Sequence, residues 1–125
     1  MSGKISLNTL KLQKIRQAVV DFLSELKEVI DTGKFYLIDR DKNLKFAAEL
    51  GITREMIKST VRELEAENYY QGPTPDRDKP GEVWEFGKEL MGREIYIKVK
   101  IVQGQCKVIC ISFHEAESGM TYPLR

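Results

Sequence analysis

The sequence predicts an α+β fold in which an antiparallel sheet packs against an N-terminal helix and a helical hairpin. Three stretches carry that prediction. Between Glu94 and His114, apolar residues alternate with polar ones, the pattern of paired strands with one buried face. Between Thr9 and Ile30, the residues Leu12, Ile15, Val19, Phe22, Leu23, Leu26 and Ile30 recur at steps of three and four, which places them on one face of a helix. Between Asn43 and Leu64, two shorter helical patterns flank Gly51-Ile52-Thr53.

With 125 residues the chain makes one domain, 1–125, able to bury roughly two-thirds of its unfolded surface. Its 20 basic and 19 acidic residues leave a formal charge of +1, so any anion-binding role must rest on a local patch. The cysteines, Cys106 and Cys110, lie four apart on a predicted strand, on one side but too far apart for a bridge, and read as reduced thiols. One histidine and two cysteines are too few for a zinc site, and no metal or other cofactor is expected. No apolar run approaches the roughly 20 residues of a membrane span, and the N-terminus lacks the apolar core of a signal peptide. A soluble, cytoplasmic protein is expected.

In chain order, Met1 to Asn8 reads as a loose start, and the first helix runs from Thr9 to about Ile30, stopped by Gly33. Phe35 to Ile38 is a short β-prone run, followed by a charged turn from Asp39 to Asn43. Asn43 is placed to cap a helix from Leu44 to Leu50 that Gly51 ends. Thr53 is placed to cap the next, whose buried stripe is Ile57, Val61 and Leu64. The corner between them resembles a helix-turn-helix, yet the second helix sets Glu55, Glu63, Glu65 and Glu67 against Arg54, Lys58 and Arg62, and that acidity repels phosphate.

Tyr69 and Tyr70 close the helical region, and Gln71 to Gly81, with Pro73, Pro75 and Pro80, reads as a loop of a length that tends to be functional. Val83 to Phe86 forms a short strand with Trp84 and Phe86 on one side and Glu85 on the other. Gly87 to Gly92 leads into the central hairpin. The tail from Glu115 to Arg125 is expected to wrap over an edge, with Met120, Tyr122 and Leu124 partly packed.

The hairpin's register follows from parity. A two-residue turn at Gln103 and Gly104 mixes polar and apolar side chains on both faces. A loop of three residues, Gly104 to Cys106, or of five centred on Gln105, pairs Ile97 with Phe113, Val99 with Ile111 and Ile101 with Ile109, all toward the core. Tyr96, Lys98, Lys100, Ser112 and His114 then share the other face, with Tyr96 across from the only histidine of the chain. Glu85 joins them if its strand pairs beside Glu94 to Val102.

The helical hairpin ending near Leu64, the run Glu67-Asn68-Tyr69-Tyr70, the strand centred on Trp84, and Gly92-Arg93-Glu94-Ile95-Tyr96-Ile97-Lys98 followed by Val108-Ile109-Cys110-Ile111-Ser112-Phe113 together resemble the MqsR type of bacterial toxin from toxin–antitoxin systems, over roughly Phe46 to Glu115. The resemblance implies a RelE-like fold, an mRNA interferase that cleaves RNA without a metal, and a cognate antitoxin as partner. It also implies a place on the active face for Tyr96, which matches the family's tyrosine on the first hairpin strand. Where the family carries a lysine past the last strand, a glutamine after the tryptophan and a lysine after the aromatic pair, this sequence has His114, Glu85 and Gln71.

Metal-free RNA cleavage needs a base for the ribose 2′-hydroxyl, a cation beside the phosphate and an acid for the leaving oxygen. Histidine, which titrates near 6.5 when unperturbed, serves as either acid or base at neutral pH. The expected catalytic set is therefore His114 and Glu85 as the acid–base pair, Lys98 on the phosphate and Tyr96 orienting the ribose. RNA binding is expected from Lys100, Lys107, Arg93 and Gln71, with Tyr70 stacking on an unpaired base. Taken singly, each residue also has an ordinary role: a strand-end histidine in water, a cross-strand tyrosine, the polar half of an amphipathic strand. Two other functions fit the same sequence: a non-catalytic regulator binding RNA or protein through this face, and a small module that dimerises through its long first helix.

Overall fold

In the computed structural model, which describes residues 6–125, the first helix starts where Ser6 caps it, its side chain accepting the Thr9 N–H at 3.1 Å. The expected loose start from Met1 to Asn8 thus ends at Ser6, and its first five residues lie outside the described ones. Helix α1 spans Leu7–Asp31. Only its second half is seated: Val19, Phe22, Leu23, Leu26 and Ile30 are buried, whereas Leu12 and Ile15, expected in the same stripe, are 42% and 36% exposed. Phe22 stacks on Trp84 with ring centroids 4.5 Å apart. Each fully buried side chain of this kind contributes about 1.5–3 kcal/mol, so Leu26 and Ile30 anchor the helix strongly.

Five strands form one sheet in the order β1-β5-β4-β3-β2, with β1 Phe35–Leu37, β2 Tyr69–Pro75, β3 Glu82–Leu90, β4 Arg93–Val102 and β5 Lys107–Glu115. All neighbours are antiparallel except β1, which runs parallel to β5 at the edge. The helical hairpin follows β1 as α2 Asp41–Leu50 and α3 Arg54–Arg62. Gly51 ends α2 in the left-handed conformation and Thr53 caps α3, both as expected. No helix among the described residues is long and apolar enough to cross a membrane.

Asn43 does not cap α2. The helix begins at Asp41, and Asn43 is fully buried inside it, its amide donating to the carbonyls of Ile38 and Ile111 at 3.0 Å and accepting the Phe113 N–H at 2.9 Å. The side chain thereby stands in for a strand along the edge of β5 that β1 is too short to cover.

The stretch read as a loop from Gln71 is in part a strand. β2 pairs with β3 through two register shifts, and an irregular edge strand is where prolines such as Pro73 and Pro75 are tolerated. β3 also runs longer than Val83 to Phe86, because Met91 and Gly92, with φ of 54° and 76°, turn it directly into β4.

In the central hairpin Ile97 faces Phe113 and Tyr96 faces His114, as parity predicts. A bulge at Ile111 then shifts the ladder, so Val99 pairs with Cys110 and Ile101 with Val108, across a loop of Gln103 to Cys106. The core therefore receives Val108 and Cys110, while Ile109 and Ile111 turn to the opposite face. Cys106 is exposed in the turn rather than on the strand, Cys110 is buried, and both thiols are free.

Candidate active site

Because α1 covers one face of the sheet, the polar residues of β3, β4 and β5 collect on the other. They open onto a cavity of about 370 Å³ lined by Glu85, Tyr96, Lys98, Ser112 and His114, with Tyr70 and Gln71 at one side. Tyr96 and His114 are direct cross-strand partners with ring centroids 5.5 Å apart. Both line this open cavity, with Lys42 and Asn43 of α2 at its border.

Glu85 is only 8% exposed. One oxygen accepts the Tyr96 hydroxyl at 2.5 Å and the other accepts the Gln71 amide at 2.8 Å, so the carboxylate is held by two neutral donors. Burial, and next the Glu85 carboxylate, push the Tyr96 phenol well above its ordinary range, so it stays protonated and donating at neutral pH. The Nδ1 of His114 lies 3.0 Å from the Glu115 carbonyl, which can only accept. Nδ1 therefore carries the hydrogen, and in the neutral ring Nε2 is left with a lone pair.

Two cations that the sequence reading overlooked complete the cavity: Arg40, whose guanidinium donates to Ser112 Oγ at 3.2 Å, and Arg77. Among the described residues, Arg40, Arg77 and Lys98 make no ion pair. Arg40 reaches the site because β1 lies parallel against β5, a pairing between segments some seventy residues apart that no local pattern announces.

Other expected RNA contacts are not brought to the cavity. Lys100 faces the right way but is 4% exposed, its ammonium held by Asp76 at 2.7 Å and by the Pro80 carbonyl at 3.0 Å. Arg93 sits at the far end of the sheet, bonded to Glu115 at 3.1 Å. Lys107 lies at the opposite end, 5.6 Å above the Tyr36 ring. The tail, expected over an edge, lies instead across the interior strands β3 and β4 at the Arg93 end, with Leu124 buried: Tyr122 donates to Glu94 at 2.7 Å, and a Cβ on Gly87 would collide with Tyr122 and Met120. Only glycine lets the tail approach this closely.

No curated protein and no solved structure matches the chain. A family model does, over residues 10–115, and its description is motility quorum-sensing regulator, toxin of MqsA. That match takes in every strand of the sheet and extends well beyond the Phe46 to Glu115 stretch that carried the resemblance. The chain therefore belongs to this family, the MqsR toxins of toxin–antitoxin systems.

Proposed function

We propose that this toxin is an endoribonuclease that cuts messenger RNA by acid–base chemistry on the open face of the sheet, without a metal, and that a cognate antitoxin holds it in check in the cytoplasm. The observation that carries the reading is the adjacency of Tyr96 and His114 beside Arg40, Arg77 and Lys98, three cations without an ion pair among the described residues.

In this reading His114 Nε2 takes the proton of a ribose 2′-hydroxyl, and the 2′-oxygen attacks the adjacent phosphorus. Arg40, Arg77 and Lys98 offset the charge growing on the phosphoryl oxygens. The bond to the 5′-oxygen breaks, that oxygen takes a proton from the Lys98 ammonium, and the products are a 2′,3′-cyclic phosphate and a free 5′-hydroxyl. Tyr96 keeps lone pairs to receive a ribose hydroxyl, and its ring offers a stacking surface for an unpaired base. Since both oxygens of Glu85 are already engaged, it serves as a positioning residue that fixes Tyr96 rather than as a proton carrier.

The test is incubation of the purified protein with single-stranded RNA and with its 2′-O-methyl counterpart in the presence of a chelator. The expected result is cyclic-phosphate ends from the first and no cutting of the second. Binding without cutting across a varied set of RNAs would replace the nuclease with a non-catalytic regulator on the same face.

A further inference from the structure

The open face holds a second basin beside the catalytic cavity. It measures about 720 Å³ and shares Arg40, Arg77 and Lys98 with the first, so the two form one continuous groove. Its floor is apolar, because the bulge in β5 turns Ile109 and Ile111 outward. Its rim is basic, with Lys79 on the loop and Lys107 at the end of the sheet. Of its two acidic residues, Asp76 is already paired with the buried Lys100.

The other end of the face has the opposite character. Glu94, Glu115 and Glu117 cluster there, each held by a neighbour, and the tail residues Met120 and Tyr122 lie across Gly87. On that side the cations Arg93 and Lys42 are already paired with Glu115 and Glu117 and the tail is a steric stop, so a polyanion entering the cavity is drawn along the basic side.

We propose that this second basin seats the nucleotides on one side only of the scissile bond: single-stranded RNA leaves the cavity toward Val102 and Lys107, its bases resting on Ile109 and Ile111 and its phosphates following Lys98, Arg77 and Lys107. Apolar side chains on the floor and cations along the rim are the two features that unpaired nucleotides need. The step from Lys98 to Val102 covers roughly 13 Å of strand, room for about two extended nucleotides. A duplex, whose bases are stacked inside, gains only the phosphate part of this surface. The inference rests on the ribonuclease reading for the position of the scissile bond, but the basin's affinity is measurable without any cutting.

Fluorescence anisotropy of a labelled single-stranded RNA, read with His114→Ala protein so that no substrate is consumed, tests it. Lys107→Glu and Lys79→Glu, added separately to that background, are expected to weaken binding at least tenfold and to flatten its salt dependence. Trimming the RNA from one end is expected to weaken binding, and trimming from the other to leave it unchanged. Unchanged affinity in both lysine variants, or equal losses from the two ends, would overturn the proposal. So would a dimer that Lys107→Glu dissociates while RNA affinity stays the same, since the basin would then belong to a second copy of the chain. Lopsided binding by a protein that cuts no RNA would support the basin and reject only the chemistry.

Discussion

Two carboxylates, the buried Glu85 and the half-buried Asp76, lie on the open face of the same sheet, and their surroundings differ in kind. Asp76 meets a full countercharge: Lys100 holds it at 2.7 Å, and that hydrogen bond keeps its carboxyl down to about 2. Glu85 meets none, being held by the hydroxyl of Tyr96 and the amide of Gln71. The first arrangement is complete in itself, and it fastens the segment around Asp76 and Pro80 to β4. The second holds a buried carboxyl group through two neutral donors, beside a cavity lined by Arg40, Arg77 and Lys98, which make no ion pair among the described residues. On the proposed function, the first cluster fastens the fold and the second positions Tyr96 beside the cavity.

Exchanging the two clusters' roles by mutation is the way to break this contrast. Glu85→Gln keeps the shape but removes the charge that fixes the phenol, and cleavage is expected to fall on the order of 100-fold, as loosened positioning does, while the melting temperature stays close to that of the parent. A large drop in melting temperature with cleavage intact would reverse the assignment. Tyr96→Phe leaves one Glu85 oxygen without its donor. Cleavage should fall at least as far as in Glu85→Gln, because Glu85 acts through this hydroxyl, and urea denaturation should show a loss of about 1–2 kcal/mol from the unsatisfied carboxylate.

Lys100→Ala is expected to do the opposite. Removing the buried Lys100 from its pair with the half-buried Asp76 should cost about 1.5–3 kcal/mol, read as a clear drop in melting temperature, with kcat on a dinucleotide within about threefold of the parent. If cleavage fell more than stability, Lys100 would belong to the site after all. The smallest effect is in acid. Because the folded-state carboxyl of Asp76 titrates below its ordinary 3.8, its contribution is complete above that value and is lost as the pH falls toward about 2. Denaturation midpoints measured between pH 5 and pH 2 should therefore fall less steeply in Asp76→Asn than in the parent, and an identical slope would remove the pair from the account.

Period and parity made the sheet's faces readable before any coordinates. Tyr96, Lys98 and His114 needed only alternation and one correct pairing, Ile97 with Phe113. What escaped was everything that depends on distant chain segments. The bulge at Ile111 is stabilised by Asn43, some seventy residues earlier, and the expectation that Asn43 caps its own helix hid that role. Arg40 arrives through a parallel edge strand, and β2 was concealed by glycine and proline, which usually signal loops. Lys100 shows the remaining gap: alternation told which way it points but not that Asp76 would close over it. The Glu85 network lay in between, since its face was legible while the Gln71 and Tyr96 bonds that occupy both oxygens were not.

The central claim is that His114 Nε2 is the proton acceptor for RNA cleavage. Its most direct test is the single-turnover rate on single-stranded RNA, in chelator, for the parent and for His114→Ala of unchanged circular dichroism and melting temperature. The account predicts a loss of about 100-fold or more, within the range of general acid–base catalysis. A folded His114→Ala protein that cuts RNA as fast as the parent would contradict it.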